Sequence, residues 1–214
     1  MIQKILLGLA VAVVALAGFI STRPAAFSVQ RSATIQAPAA IPFAMVNDFH
    51  RWAVWSPWEK LDPAMTRTFT GADTGLDAMY EWDGKEVGAG RMTILESKPA
   101  EQIRIRLEFL RPFEAQNTTT FTFTPEGSGV TVSWRMEGRN GFIVKAFSLF
   151  VNMDQAIGKD FEAGLANLKA AAETEAKKRA EEKALAEKVA TDAAVAPPAL
   201  PEAPPASTAT APAP

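Results

Sequence analysis

Between Met65 and Gly138 the chain changes sides at every second residue, segment after segment, and no other feature of the sequence constrains its fold as much. The segment "EQIRIRLEFL" is the cleanest, with Ile103, Ile105, Leu107 and Phe109 on one face and Arg104, Arg106 and Glu108 on the other. "DAMYEWDG" gathers Ala78, Tyr80 and Trp82 and closes on the turn pair Asp83–Gly84. "AGRMTILESKP" alternates Met92 and Ile94, "AQNTTTFTFTPEG" gathers Thr119, Phe121 and Phe123, and "VTVSWRMEG" gathers Val130, Val132, Trp134 and Met136. With "MTRTFTG" and an earlier strand in "FSVQRSATIQ", this predicts an antiparallel sheet with one dry and one wet face.

A dry face has to be covered. The sequence predicts one long helix from about Phe142 to Lys169, whose apolar stripe is Ala146, Phe150, Met153, Ile157, Phe161, Gly164 and Leu168. Ala146, Gly158 and Gly164 are small, and Gly inside a helix costs about 1 kcal/mol relative to Ala. They serve either close helix–sheet contact or space for an apolar ligand. Between the first strand and the meander, "PAAIPFAMVND" reads as a helix. "SPWE" reads as a capping box, with Ser56 as cap, Pro57 in the first turn and Glu59 reaching back. Trp55 and Trp58 then flank a second short helix.

The strings "RSATIQAP", "NDFHRWAVWSPWEKLDP", "YEWDGKEVGAGRM" and "NMDQAIGKDFEAGLANLK" resemble the START-like, polyketide-cyclase/dehydrase-like SRPBCC superfamily, in its membrane-anchored bacterial branch. The resemblance covers residues 27–169. It implies the helix-grip fold, an α+β architecture in which a bent antiparallel sheet wraps around a long C-terminal helix. It also implies a hydrophobic cavity between helix and sheet. Superfamily members include lipid-transfer modules, receptors and ring cyclases, so the resemblance does not choose among those activities.

The two ends stand outside that domain. "ILLGLAVAVVALAGFI", residues 5–20, is an uncharged apolar run that predicts an N-terminal membrane anchor within residues 1–24, with a cleaved signal peptide as its rival. An anchor placed there predicts a single-pass protein whose domain lies on the periplasmic or extracytoplasmic side. Residues 170–194 are rich in Ala, Glu and Lys and predict a solvated helical extension. Residues 195–214, rich in Pro and Ala, predict a disordered tail. A net charge of −2 without a basic face argues against nucleic acid as partner. With no cysteine there are no disulfides or thiolate metal sites, and neither metal nor cofactor is expected.

The candidate ligand-binding residues are Trp55, Trp58, Tyr80, Trp82, Phe109, Phe121, Trp134, Phe150, Met153 and Ile157, all expected to face one interior. The tryptophans fasten the short helices to the sheet and double as a lip of the cavity. His50, the only histidine, lacks an orienting partner if Asp48 stands two residues away on a helix, so a surface or capping role is expected. Asp154 and Asp160 flank the helical stripe and are expected to be solvated, or else to dip an acid into the cavity mouth. These residues support binding of a lipid or other hydrophobic small molecule without catalysis. The alternatives are a cyclase/dehydrase-like enzyme using Tyr80, His50 or Asp154, and a structural envelope domain with a filled core.

Overall fold

The computed structural model describes the backbone of residues 1–195 and the side chains of residues 1–191. The Pro/Ala tail expected from residue 195 lies, Val195 apart, outside the described residues. The chain divides into two compact units, Met1–Lys177 and Lys178–Pro214.

In the first unit a seven-stranded, fully antiparallel sheet follows an N-terminal helix, α1 (Ile2–Thr22). The strands are β1 (Ala26–Ile35), β2 (Thr66–Gly71), β3 (Ala78–Asp83), β4 (Ala89–Lys98), β5 (Gln102–Arg111), β6 (Ala115–Glu126) and β7 (Gly129–Arg139). They run in the order β1-β7-β6-β5-β4-β3-β2, a simple meander closed at one edge by the first strand. The alternation in the sequence matches the buried face: Ile103, Ile105, Phe121, Phe123, Val130, Val132 and Trp134 are all sealed.

Between β1 and β2 lie α2 (Ala40–Asn47), α3 (Trp52–Trp55) and two single 3₁₀ turns, Phe49–Arg51 and Trp58–Lys60. Five of the eight residues of α2 are buried, so the helix is apolar nearly all round and sits inside the fold. Indole donors tie the next helix to it, from Trp52 Nε1 to the Val46 carbonyl at 3.0 Å and from Trp55 Nε1 to the Met45 carbonyl at 3.2 Å. The capping box expected at Ser56 does not form. Ser56 ends α3 instead, and Glu59 turns away toward Arg67 and Tyr80, because a half-buried guanidinium and a phenol compete for its carboxylate more strongly than one backbone N–H does.

The expected single covering helix is two helices, α4 (Phe142–Phe147) and α5 (Met153–Val195). The break has a local cause. Ser148 Oγ turns back onto the Lys145 carbonyl at 2.7 Å, and Asn152 Oδ1 accepts the Gln155 N–H at 3.1 Å, capping a new helix start. Phase is lost across this break, so Ala146 and Phe150 do not continue the stripe of α5. Phe161, Leu165, Leu168 and Ala172 carry it onto the sheet.

Polar ties hold α5 between Asp154 and Glu175. Asn167 Nδ2 donates to the Trp55 carbonyl at 3.1 Å, and Lys169 Nζ to the Thr34 carbonyl at 2.8 Å. Glu173 accepts the Gln36 N–H at 2.8 Å, and Glu175 pairs with Arg51. Arg31 crosses α5 and pairs with Asp154 (3.1 Å) and Glu162 (2.7 Å). It can cross because position 158 is glycine: an added Cβ would stand 1.9 Å from the guanidinium. In the second unit the described residues up to Val195 are helical, with Lys178–Glu182 and Lys183–Glu187 pairs at 3.8 Å.

Candidate functional site

The inward residues of β6 and β7 shrink toward one end of the sheet. In register, Ile103 pairs with Phe121 and Phe121 with Trp134; one step on, the rung is Ile105, Thr119 and Met136; the next is Leu107, Asn117 and Gly138. The middle residue goes from Phe to Thr to Asn, and the last from Trp to Met to Gly. A covering helix at constant height over such a face cannot fill the far end. There the sheet and helices leave a cavity of about 870 Å³.

Its wall is mainly apolar. Tyr80, Trp82, Met92, Leu107 and Phe109 come from the sheet; Trp52 and Trp58 from the segment after β1; Met153, Ile157 and Phe161 from α5. The mouth is formed by residues 112–115 between β5 and β6 and by residues 139–144 leading into α4. Of the ten candidate residues, Trp58, Tyr80, Trp82, Phe109, Trp134, Met153 and Ile157 line this space.

The other three do not. Trp55 and Phe121 are wholly enclosed one layer deeper, where they meet edge-to-face at 6.0 Å and both contact Trp134. Phe150 is 88 % exposed, in the turn between α4 and α5. The expected inward position follows from one helical phase carried through residue 150, where the helix is interrupted.

Trp134 divides core from cavity. Its ring stacks on Phe161 at 4.1 Å with 8° between planes and on Phe121 at 4.8 Å, while Trp58 meets it edge-on at 5.6 Å. Gly164 lets α5 approach it, since an added Cβ would lie 2.8 Å from the indole. Gly164 therefore serves close contact, not ligand space. The indole N–H of Trp134 is buried without a partner.

One polar cluster enters the wall. The Tyr80 hydroxyl donates to Glu59 Oε1 at 2.6 Å, and Arg67 Nε donates to Glu59 Oε2 at 2.7 Å. The Glu59 side chain is only 7 % exposed and lines the cavity beside Tyr80. Burial, reinforced by the adjacent Glu59 carboxylate, pushes the Tyr80 phenol well above its ordinary range. Asn117 and Thr119 add neutral polar groups to the opposite wall, and Asp160 stands at the cavity's α5 side, where partial burial raises its carboxyl. The importance of Glu59 was masked in the sequence, where it fits a helix cap equally well. Asn117 did leave a signal, being a polar residue at an inward position of an alternating strand.

The remaining acid–base candidates stand elsewhere. His50 lies outside the cavity lining, stacked on Phe69 at 4.1 Å, with Nδ1 3.0 Å from Asp48 Oδ1. The two side chains meet, contrary to the helical expectation, because Asp48 caps a 3₁₀ turn and also accepts the His50 N–H. Asp154 is held by Arg31, which lowers its carboxyl below the usual range. No cluster of three or more His, Asp or Glu side chains suited to a metal occurs among the described residues.

Comparison with known proteins agrees with this architecture. A family described as "Polyketide cyclase / dehydrase and lipid transport" matches residues 26–173. A protein of Chromobacterium violaceum with a solved structure superposes with a TM-score of 0.52 at 19 % identity, over 68 % of this chain and 96 % of its own. The di-domain ARO/CYC BexL of the BE-7585A biosynthetic pathway gives 0.52 at 18 % identity, over 72 % of this chain and 52 % of its own. Its counterpart StfQ of the steffimycin pathway gives 0.53 at 12 % identity, over 73 % and 52 %. At these identities the likeness is one of fold, and the chain spans about half of each di-domain protein. No curated protein matches the chain.

Proposed function

The chain belongs to the polyketide cyclase/dehydrase and lipid transport family, and from that premise we propose that it holds a lipid or other hydrophobic small molecule in its cavity without converting it, anchored to a membrane by α1. The observation that carries this reading is the cavity: about 870 Å³, walled mainly by aromatic and aliphatic side chains, with few polar groups. That volume lies in the upper part of the range of roughly 300–1,000 Å³ common for small-molecule sites. An open interior of this size also speaks against a purely structural domain with a filled core.

The second reading, a cyclase-type enzyme, is favoured by the Glu59–Tyr80 pair at the cavity wall and by the biosynthetic ARO/CYC proteins that share the fold. It is the weaker of the two. A useful general acid has a pKa near the working pH, and Tyr80 is displaced far above it. Glu59 is already engaged by two donors.

The anchor reading rests on α1, which has 21 residues, is apolar along most of its length and has almost no burial against the rest of the protein. At 1.5 Å per residue it spans about 31 Å, close to the hydrocarbon thickness of a bilayer. A short N-terminal helix followed directly by a domain favours an extracytoplasmic position for that domain.

Native mass spectrometry of the full chain, extracted from its own host in mild detergent, tests the proposal. The expected result is a co-purifying apolar molecule that is lost in Thr119→Phe, whose new ring occupies cavity volume, at unchanged melting temperature. Wild-type protein that carries nothing, or a Thr119→Phe variant that carries the same adduct, would overturn it. Recovery of an offered ligand in chemically altered form would move the assignment to the enzyme.

A further inference from the structure

We propose that the mouth of the cavity rests on the lipid bilayer that α1 enters, so that ligand passes between bilayer and cavity without crossing water. The inference rests on reading α1 as a membrane span, and it adds where the cavity opens.

Three residues, Arg23, Pro24 and Ala25, separate Thr22 at the end of α1 from Ala26 at the start of β1. Fully extended, that link reaches roughly 14 Å at most. The end of α1 is also stitched to the cavity mouth. The Asn140 N–H donates to the Ala25 carbonyl at 2.7 Å, and Asn140 and Gly141 are part of the mouth and lead directly into α4. From α4, Lys145 Nζ donates to the Ser21 carbonyl at 3.4 Å, in the last turn of α1. Ile20 in that same turn is buried, whereas the rest of α1 is exposed apart from the half-buried Ala17. The point where the chain leaves the membrane and the point where the cavity opens are therefore one place.

The surface at that place is built for an apolar neighbour. Phe113, Phe142, Ile143, Phe147 and Phe150 are between 51 % and 88 % exposed, along the β5–β6 connection, α4 and the following turn. An exposed aromatic group of this size on a soluble face is unusual. Beside a membrane span it is the composition of a segment that lies in the interface, apolar side chains entering the acyl boundary. Arg23, Arg139 and Lys145 stand among these groups, where lipid phosphates would meet them. Glu114 also lines the mouth and would remain on the water side.

The chain has no cysteine, so a single label can be placed without background. Phe147→Cys carries it on α4 outside the cavity wall. Ser128→Cys carries it in the β6–β7 turn, at the other end of strands whose Arg139 end forms the mouth. Each variant of the full chain is labelled with an environment-sensitive nitrobenzoxadiazole dye and reconstituted into phosphatidylcholine/phosphatidylglycerol vesicles. The expected result is a blue-shifted emission at position 147 that is quenched by lipids brominated on the acyl chain, with neither change at 128. A protein that floats with the vesicles but shows no quenching at 147 would overturn this inference and leave the anchor standing. A blue shift without bromine quenching would show that a second copy or another protein covers α4, which also overturns it. A protein that does not float with the vesicles would overturn the anchor reading itself.

Discussion

The two ends of the groove between sheet and α5 are made by the same strands and the same alternation, and only one of them is filled. At the sealed end, Ile103, Phe121, Phe123 and Val132 are buried in one cluster with Leu165 and Leu168. At the open end, Leu107, Phe109, Asn117 and Thr119 face Met153 and Ile157 across the cavity. Facing inward is a property of strand parity; being packed depends on summed side-chain volume and on whether a helix stands opposite. Here both fall away together, because the inward residues shrink along β6 and β7 and α5 begins only at Met153.

This contrast can be broken most directly by truncating one ring at each end. Phe121→Ala removes a fully enclosed ring and should cost about 3–5 kcal/mol, as large-to-small core changes do. Phe109→Ala removes a half-buried ring that already borders empty space, and should cost about 1 kcal/mol. Equal losses in urea unfolding would mean that the open end is packed in solution and that the contrast fails.

A second, smaller comparison concerns two glycines six residues apart on α5. Gly164→Ala pushes a methyl against the ring of Trp134, which is stacked on both faces and cannot move, for an expected loss of about 1–3 kcal/mol. Gly158→Ala meets only the mobile end of Arg31. The gain in helix propensity, about 1 kcal/mol, then offsets the loss of the Arg31 ion pairs, which solvent screens. Thermal melts of the pair should separate clearly; a Gly158→Ala variant as damaged as Gly164→Ala would show that Arg31 is held far more rigidly than its exposure suggests.

The smallest effect belongs to the polar cluster of the open end. Tyr80→Phe deletes one hydrogen bond to the Glu59 carboxylate, worth about 1.5 kcal/mol at neutral pH because its acceptor is charged. Its clearer signature lies at high pH. Because the folded protein holds the phenol above the ordinary value of 10.0, the unfolded chain loses that proton first, and stability falls as pH rises past about 10. Tyr80 is the only tyrosine, so tyrosinate absorbance reports it alone. Ionisation should coincide with unfolding, and Tyr80→Phe should lose the Tyr80-linked part of the alkaline slope. Ionisation near 10 in the still-folded protein would place the hydroxyl in water.

Much of this fold is legible in the sequence because alternation is a local pattern that survives in any context. Ile103 and Ile105 could be placed inward from their neighbours alone, and so could Val130 and Trp134. Phe150 departs from the expected stripe because a stripe extrapolates through any stretch that avoids proline. The cue to the break was the Asn152–Gln155 spacing of a helix cap, which competes with continuation of the helix and here prevails. Glu59 could not be read as a cavity residue, since Arg67 and Tyr80 lie eight and twenty-one residues away and only folding brings them together. The cavity itself is partly legible: Thr119 and Asn117 are undersized residues at inward positions that line it, but their coincidence with the open end depends on strand register, which alternation alone does not set.

The shrinking of the inward residues along β6 and β7 has a kinetic side. Each rung toward Asn117 and Gly138 carries less buried apolar contact, so local opening should become progressively easier along the same strands. Amides near Ala115 and Phe109 should exchange with solvent long before those near Phe121 and Ile103. A bulky guest would then be admitted by the ordinary breathing of strand ends, while the distant aromatic layer stays shut, and the fold would need no separate moving part to serve as a gate.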